Sequence, residues 1–288
     1  MTRKSRTILV LAIATISLGI ACLFSLPKSQ KSTLAHVYML NIGQGDSFLI
    51  QAANGRQLLI DGGRDATVLG ELAKVMPTGD KSIDVVIATH PDADHIGGLP
   101  FVLKHYDVGL FLTSQVMTGT QTFKNLFDEL NKDRIPSYYA RAGMKLTLDS
   151  NPNIPATFSV LFPDRQTLNW ETNSASVVGR LQIRERSALF TGDSPSNIEH
   201  YLAQTDPKDI DVDILKLGHH GSKYSSGDEY LRATSPVLAL ISAGVNNRYG
   251  HPAPEVLARL KALSIPYVST QDAGTVTLTT DGVKWYKK

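Results

Sequence analysis

The residues with the clearest potential for chemistry form one short segment of the sequence. Four side chains that can bind a metal ion fall within six positions, at His90, Asp92, Asp94 and His95. The apolar residues 83–88 before them are typical of a buried β-strand. In extended backbone the first three side chains would point to one side, and the fourth would join them at the following turn. Imidazoles and carboxylates bind zinc and manganese, so the segment predicts a metal site.

Other acidic and imidazole side chains also follow apolar strands. Asp61 and Asp193 each end such a run, the pair His219 and His220 ends another, and His251 stands just before a helical pattern. For any one position alone, an ordinary surface or core residue is the alternative interpretation. Because ligands bind beyond the carboxyl ends of strands in open α/β sheets, we expect these side chains to share one site.

Charge is distributed unevenly along the chain. The 288 residues contain 29 Lys and Arg against 27 Asp and Glu, for a net charge of +2. Five of the cations and none of the acids lie in residues 1–31, so 24 basic and 27 acidic residues remain, a net charge of −3. The overall basicity therefore does not indicate nucleic-acid binding. The one cysteine, Cys22, excludes an intramolecular disulfide and a thiolate zinc cluster.

The amino-terminal residues have the pattern of a membrane segment. Residues 7–26 form an uncharged run of 20 residues, enough to cross a hydrocarbon core of about 30 Å. Basic residues before it favour a cytoplasmic amino terminus and an exported remainder. Bulky residues at 23–26 favour a retained anchor, with a cleaved signal peptide or a lipid-modified Cys22 as alternatives. We expect an anchor or signal segment with a linker at 1–31 and one extracytoplasmic domain at 32–288, secreted if the leader is cleaved.

Hydrophobic periodicity predicts an α+β fold in which two mixed sheets pack together and are flanked by helices. Apolar runs predict strands at residues 34–42, 47–52, 57–60, 83–88, 108–112, 176–183, 188–191, 212–217 and 237–242. The helical period predicts helices near 66–75, 96–105, 121–131, 195–203, 228–233 and 254–263. The sequence has no nucleophilic-serine elbow, P-loop or dinucleotide-binding glycine motif, so serine hydrolysis and nucleotide-loop binding have no support.

Six motifs, in this order, resemble the ComEC-type metallo-hydrolase domain of competence proteins, a branch of the metallo-β-lactamase fold. They read IGQGD at residues 42–46, DGG at 61–63, HPDADHIGG at 90–98, TGD at 191–193, HHGS at 219–222 and YGHP at 249–252. The third motif and HHGS are the most specific. The resemblance implies an αββα sandwich with one or two divalent metal ions at the edge of its sheets.

The resemblance also implies individual metal ligands. His90 and Asp92 would bind a first ion, Asp94 and His95 would bind a second, and Asp193 would bridge the two. Two ions bridged by a carboxylate suit in-line attack on a phosphodiester. The expected enzyme is therefore a metal-dependent hydrolase.

The last ligand of the second ion would be His251, His219 or His220, and the sequence leaves this choice open. An imidazole of this group that binds no metal would act as a general acid or hold the scissile group, which suits its pKa near neutrality. Asp94 and the pair His219 and His220 are therefore the predicted catalytic residues. Asp61 would orient the ligand loop through hydrogen bonds rather than bind metal.

The first site departs from the family pattern. Metallo-β-lactamases normally supply a third histidine to the first ion, whereas this chain has Asn173-Ser174-Ala175-Ser176 in the corresponding region. We expect Asn173 to support the site with a neutral amide oxygen. Such an oxygen-rich set favours Mn²⁺ or Mg²⁺ more than an all-imidazole site does, so zinc and manganese are both expected cofactors.

The resemblance and the expected export predict a phosphodiesterase or nuclease that acts on DNA during competence-type uptake. One candidate membrane helix cannot form a pore, so a separate channel protein is an expected partner, beside the membrane. Lys223, Arg248 and Ser222 are expected substrate contacts, with Lys216 as a further phosphate ligand. Hydrolysis of a cell-envelope phosphodiester or another ester is the second interpretation, and a non-catalytic DNA-holding module is the third.

Overall fold

The computed structural model describes residues 32–287 as two β-sheets packed face to face, with helices on both outer sides. The predicted membrane anchor within residues 1–31 lies outside the described residues. Between residues 32 and 287, no helix combines the length and the apolar composition needed to cross a membrane. The layering confirms the predicted αββα sandwich.

The first sheet brings the two ends of the described chain together. In spatial order its strands are β15 (Trp285–Lys287), β14 (Val276–Thr280), β1 (Ala35–Met39), β2 (Phe48–Gln51), β3 (Gln57–Ile60), β4 (Ser82–Ala88), β5 (Asp107–Thr113) and β6 (Ser137–Tyr139). Neighbours are antiparallel from β15 to β3 and parallel from β3 to β6.

The second sheet is built the same way, with one parallel and one antiparallel half. Its strands are β13 (Tyr267–Ser269), β12 (Leu238–Ile241), β11 (Ile214–Lys216), β10 (Arg186–Phe190), β9 (Val178–Ile183), β8 (Ala156–Phe162) and β7 (Lys145–Asp149). Neighbours are parallel from β13 to β10 and antiparallel from β10 to β7.

The longer helices cover the outer faces of the two sheets. Against the first sheet pack α1 (Thr67–Val75), α3 (Leu99–His105) and α4 (Gln121–Lys132). Against the second pack α5 (Ser196–Thr205), α7 (Asp228–Thr234) and α8 (Pro254–Ala262). The short helices are α2 (Ala93–Ile96), α6 (Pro207–Ile210) and α9 (Thr270–Ala273), and 3₁₀ turns occupy Asn173–Ala175 and Gly218–Gly221.

Strand β4 shows why the chemistry lies at strand ends. Val85 and Ile87 face the core between the sheets, whereas Val86 and Ala88 face the helices, and all four are fully buried. A parallel strand that is covered on both faces reads as a continuous apolar run. Polar ligands can follow such a strand only where it leaves the sheet, and His90 stands at that point.

Most predicted elements lie within a few residues of their predicted bounds. The helix predicted at 96–105 is divided by Gly97 and Gly98 into α2 and α3. Strands β6 to β8 and β13 to β15 have no counterpart among the predicted elements. Strand β8 carries a readable signal because buried and partly exposed residues alternate along it. Strands β6, β13 and β15 have only 3 residues each, too few to show a period.

Gly97 and Gly98 allow the ligand segment to pack directly against the loop after β3. A Cβ on Gly97 would lie 2.0 Å from the carbonyl oxygen of Arg64, and one on Gly98 would lie 1.9 Å from that of Gly62. In the same contact, the backbone N–H of Gly62 donates to the carbonyl oxygen of His95 at 2.7 Å. The two glycines are therefore required for close approach of two backbones.

Replacing Gly98 by alanine should destabilise the fold, because the added methyl group cannot fit against Gly62. We expect the free energy of unfolding, measured by chemical denaturation, to fall by about 2–3 kcal/mol. Gly70→Ala is the matched control, since Gly70 is exposed on α1 with nothing within 4 Å of its Cβ position. There alanine should stabilise the helix by about 0.5–1 kcal/mol. Unchanged stability of Gly98→Ala would contradict the close contact.

Candidate metal centre

The carboxylate of Asp193 lies at the middle of a buried group of imidazoles. Its Oδ2 atom is 3.3 Å from Nε2 of His95 and of His220, 3.7 Å from that of His219 and 3.9 Å from that of His90. Asp193 is 3% exposed. These five residues are called the Asp193 cluster below. Four imidazole nitrogens thus converge on one carboxylate oxygen.

The donor atoms of the cluster suit a metal ion. Nε2 of His90, His95 and His220 is buried without a hydrogen-bond partner. Asp46, His95, Asp193 and His220 offer ligand atoms that all lie within 4.8 Å of one another. Buried polar atoms normally have partners, so unpaired nitrogens around a carboxylate indicate a site for a divalent cation. This mixture of imidazole and carboxylate is compatible with zinc and with manganese.

Both sheets deliver strand ends to the cluster. Strand β4 leads into His90 and His95, β10 leads into Asp193, and β11 leads into His219 and His220. Strands β10 and β11 are parallel neighbours, so their carboxyl ends meet at one edge of the second sheet. Strand β4 belongs to the first sheet, so the cluster joins the two layers.

The histidine pair has an unusual backbone. His219 and His220 have φ angles of 48° and 56°, in the left-handed region that residues other than glycine rarely adopt. Nδ1 of His220 lies 2.9 Å from the carbonyl oxygen of Ser242, just beyond β12. This contact holds the buried ring with Nε2 at 3.3 Å from Asp193 and 3.5 Å from Asp94. Tertiary contacts therefore stabilise a backbone that costs roughly 1–3 kcal/mol per residue.

The two acids of segment 90–95, Asp92 and Asp94, have different backbone conformations. Oδ2 of Asp92 lies 3.8 Å from Nε2 of His90, and its side chain is 40% exposed. Asp94 contacts His220, but the expectation of extended backbone is wrong for Asp94, which lies in α2. That helix begins after Asp92, whose carbonyl oxygen accepts from the backbone N–H of His95. The four predicted ligands of this segment nevertheless lie together.

Asp61 braces the ligand segment from behind. Its Oδ1 accepts from the backbone N–H of Thr89 at 2.8 Å, and its Oδ2 accepts from the hydroxyl of Thr89 at 2.7 Å. Oδ2 also lies 2.8 Å from Nδ1 of His95, which leaves Nε2 of that ring towards Asp193. This placement supports the predicted orienting role of Asp61.

His251 lies beside the histidine pair. Its ring centroid is 5.4 Å from that of His219 and 6.3 Å from that of His220, and its Nδ1 is buried without a hydrogen-bond partner. Burial and these two imidazoles lower the pKa of His251 to about 4, so its ring is neutral near pH 7. Among the three candidates for the last ligand, the geometry favours His220, which contacts both Asp94 and Asp193.

Two buried residues of the centre, Asp46 and Lys216, are absent from the predicted ligands. The ammonium of Lys216 is 1% exposed and bonds the carboxylate of Asp46 and, at 2.5 Å, the carbonyl oxygen of Gly192. The expectation that Lys216 contacts substrate phosphates is wrong, because protein oxygens enclose its ammonium. A lone cation within the apolar strand β11 was the available signal, since lysine is almost never fully buried without a partner.

The region that replaces the family's third histidine contributes a serine. Oγ of Ser176 accepts from the backbone N–H of Asp193 at 3.2 Å and lies 3.4 Å from Nδ1 of His90. Oδ1 of Asn173 is buried and has no hydrogen-bond partner. The supporting role of Asn173 therefore stays a prediction, while Ser176 is the residue that contacts the cluster.

Two of the predicted substrate contacts are exposed and one is buried. The ammonium of Lys223 lies 5.2 Å from the ring centroid of Tyr224, and the guanidinium of Arg248 lies 4.9 Å from that of Tyr249. Ser222 is 3% exposed, and its hydroxyl accepts from the backbone N–H of Tyr224 at 3.4 Å. The hydroxyl of Ser222 therefore stabilises its own loop. Its burial disfavours the predicted direct contact of Ser222 with substrate.

The centre as a whole is strongly negative. With neutral imidazoles, five carboxylates and one ammonium give a formal charge of −4, from Asp46, Asp61, Asp92, Asp94, Asp193 and Lys216. Although burial opposes it, Asp193 raises the pKa of His95 and of His220, so protons can offset part of this charge when no metal is bound. Two divalent cations would balance all of it.

Removing the charge of Asp193 should weaken metal binding. We expect Zn²⁺ or Mn²⁺ to stabilise the unaltered protein by about 2.7 kcal/mol at about a hundredfold excess over the dissociation constant. Asp193→Asn should lose most of this gain, while Asp128→Asn, on the exposed face of α4, should keep it. Thermal unfolding with and without metal measures both. A full gain in Asp193→Asn would contradict the central position of this carboxylate.

Glu199, on α5, supports the loop that follows the histidine pair. It is 1% exposed, and its two oxygens accept from the backbone N–H of Ser226 at 2.9 and 2.7 Å. A Cβ on Gly218 would lie 2.8 Å from its Oε1, so the start of the histidine turn packs directly on this carboxyl group. Burial raises the pKa of Glu199 to about 7.

This raised pKa predicts a pH-dependent stability. Between about pH 4.5 and 7, Glu199 is ionised in the unfolded chain but still protonated in the folded protein. The contribution of Glu199 to folding stability is therefore complete below this pH window and lost above it. Relative to Glu199→Gln, the unaltered protein should lose about 3 kcal/mol of unfolding free energy from pH 4.5 to pH 8, measured by chemical denaturation. The exposed substitution Glu255→Gln keeps Glu199 and should lose the same unfolding free energy over this range as the unaltered protein. A difference between wild type and Glu199→Gln that stays constant with pH would refute the shift.

Comparison with known proteins identifies the family of this chain. The sequence profile of the metallo-beta-lactamase superfamily matches residues 40–245. The chain is 31% identical over 262 residues to ComE operon protein 3 of Bacillus subtilis (strain 168), covering 85% of this chain and 33% of that protein. It is 29% identical over 255 residues to competence protein ComA of Neisseria gonorrhoeae, covering 87% and 33%. The chain thus spans about a third of the length of these curated relatives.

Solved structures share the fold at low sequence identity. Igni18, a metallo hydrolase from the archaeon Ignicoccus hospitalis, matches with a TM-score of 0.54 and 15% identity over 84% of this chain and 98% of that one. The metallo-beta-lactamase fold protein YhfI from Bacillus subtilis matches with a TM-score of 0.55 and 14% identity over 85% and 99%. These likenesses concern the fold alone. Because the profile match covers well over half of its residues, the chain belongs to the metallo-β-lactamase superfamily.

Proposed function

We propose that the protein is a metal-dependent phosphodiesterase that cleaves DNA. The observation that carries this proposal is the convergence of four imidazole nitrogens on Oδ2 of Asp193, which suits a carboxylate shared between two ions. When bound, a pair of divalent ions lowers the pKa of a water molecule and stabilises negative charge on an attacked phosphate. The chain itself supplies a buried, preorganised set of donors for them.

The proposed ligands divide between two positions. His90 and Asp92 would hold one ion, because Oδ2 of Asp92 lies 3.8 Å from Nε2 of His90. Asp94, His95 and His220 would hold the other. Asp193 would serve both positions through Oδ2. His251, whose neutral ring lies beside the histidine pair, remains available as a further ligand.

His219 is the imidazole best placed to touch a substrate. Its side chain is 31% exposed, whereas that of His220 is 1% exposed, and its Nε2 lies 3.7 Å from Asp193. Burial lowers the pKa of His219, so the ring is neutral near pH 7 and offers one N–H donor and one acceptor. We assign His219 to hold an oxygen of the scissile group and to move a proton there.

Two exposed tyrosines near the centre fit a nucleic-acid substrate. Tyr224 and Tyr249 follow the histidine pair and precede His251, and each has a cation over its ring, Lys223 and Arg248 respectively. The ring of Tyr249 is stacked on that of His251 at 5.8 Å and 23°. Aromatic faces can stack on bases while the neighbouring cations contact phosphates. This combination favours a single-stranded polynucleotide over a small apolar ester.

Long-range electrostatics give the substrate little help. Residues 32–288 carry a net charge of −3, with 24 basic and 27 acidic residues. Attraction for a polyanion must therefore come from bound metal ions and from local cations such as Lys223 and Arg248. We expect binding outside the centre to be weak and sensitive to salt.

We further propose that the domain works outside the cell membrane, anchored through residues 7–26. The named relatives include a competence protein, which supports a role in DNA uptake. We propose a separate channel protein as the partner that supplies the passage for DNA. Turnover of a cell-envelope phosphodiester is the second candidate, favoured by the slightly acidic charge of the domain.

Nuclease assays with Mn²⁺ or Zn²⁺ test the function. The purified protein should cleave single-stranded DNA, and Asp94→Ala or His95→Ala should lower kcat at least about 100-fold, because each removes a proposed ligand. Asp128→Ala, on the exposed face of α4, should retain full activity. Duplex DNA and a generic phosphodiester, assayed in parallel, define the substrate class.

Each other outcome points to a specific alternative. Turnover of the generic phosphodiester without DNA cleavage would favour the envelope substrate. DNA binding that persists without turnover of any ester would favour a DNA-holding module.

Tyr249→Ala should raise KM for single-stranded DNA and leave KM for the small phosphodiester unchanged, since only the polynucleotide offers adjacent bases to stack.

A further inference from the structure

The ammonium of Lys216 has three oxygen neighbours beside the Asp193 cluster. It bonds a carboxylate oxygen of Asp46, the carbonyl oxygen of Gly192 at 2.5 Å and Oδ1 of Asp193 at 3.5 Å. An ammonium has three N–H donors, so these acceptors use all of them. At 1% exposure, Lys216 has no donor left for a substrate.

Asp46 lies close enough to the cluster to bind a metal ion itself. Its Oδ1 is 3.3 Å from Nδ1 of His220, and its Oδ2 is 3.9 Å from Nδ1 of His95. Oδ1 is buried without a hydrogen-bond partner. Asp46 thus faces the Nδ1 atoms of these rings, whereas Oδ2 of Asp193 faces their Nε2 atoms. A divalent cation attracts any nearby carboxylate, so Asp46 must be held in place if the rings are to bind an ion through Nε2.

We propose that Lys216 is a positioning residue that keeps Asp46 and Oδ1 of Asp193 out of the metal coordination shell. Asp193 then presents a single oxygen, Oδ2, to the ions that the imidazoles gather. Asp46 instead stays beside Nδ1 of His220. The ion pair of Lys216 with Asp46 also makes burial of that carboxylate far less costly than burial of an unpaired charge.

A lysine suits this task because its charge is compact and stands at the end of an apolar stem. Strand β11 is fully buried, and the stem of Lys216 lies in it between apolar neighbours while the charge reaches the strand end. A methionine of similar length would preserve the packing and remove the charge. Asp46 would then be buried without its cation and free to turn towards a metal ion.

Co²⁺ bound to the full-length protein tests the proposal, because its visible absorption reports coordination number and needs no substrate. In Lys216→Met we expect the Co²⁺ bands to weaken and shift as a carboxylate joins the shell. Asp46→Asn should keep the wild-type spectrum, because Asp46 is not a ligand. Lys216→Met combined with Asp46→Asn should return towards the wild-type spectrum.

The set of variants separates positioning from loss of structure. Lys216→Met leaves the Asp46 carboxylate buried without its cation, and Asp46→Asn leaves the Lys216 ammonium without its nearest carboxylate, so circular dichroism checks that each variant folds. The double variant removes both charges and leaves neither of them unpaired. A spectrum altered in Asp46→Asn, as a lost ligand would cause, overturns the proposal. So does a wild-type spectrum in folded Lys216→Met. Only Co²⁺ binding is measured, so this result stands apart from the success or failure of the phosphodiesterase proposal.

Discussion

A buried carboxylate needs compensating positive charge, and Asp193 imposes this requirement on everything around it. Lys216 lies on the side of Oδ1, and the imidazole nitrogens of His95 and His220 lie on the side of Oδ2. A charge removed from water without partners costs many kcal/mol, so each nearby element has to bring a cation, a donor or a metal ligand. The candidate metal centre, the histidine pair and the buried lysine all help to compensate the negative charge of Asp193.

The groups that surround Asp193 come from both sheets, and two of them lie on strained backbone. Strand β4 arrives from the first sheet, while β10 and β11 arrive from the second, and Gly98 allows the segment after β4 to pack against the loop after β3. His219 and His220 then adopt left-handed backbone, which the buried carboxyl group of Glu199 helps to support from α5. At the base of the site, hydrogen bonds within the protein orient the rings of His90, His95 and His220.

The rim of the centre differs from its base. Lys223 and Arg248 keep their charges in solvent and lie over exposed tyrosine rings, so they can adapt to a flexible partner. In the proposed function, the base supplies the chemistry and the rim supplies the contacts to a polynucleotide. An exported domain with a net charge of −3 would then engage DNA only where the strand enters the centre, which suits cleavage during passage better than tight storage.

The sequence by itself determined the family and the two-sheet architecture, and it predicted the ligand segment 90–95, because strand-end motifs and their order are local features that can be read along the chain. It also predicted that Asp61 orients the ligand segment, and Asp61 contacts Thr89 and His95 in the structure. The short edge strands escaped prediction because three residues show no period. Only the tertiary structure decided that Lys216 pairs with Asp46, some 170 positions away in the chain, and that His220 lies deeper than His251. Which oxygen meets which nitrogen depends on how β11 packs between β10 and β12 and on how the sheets face each other, and no local pattern records those contacts.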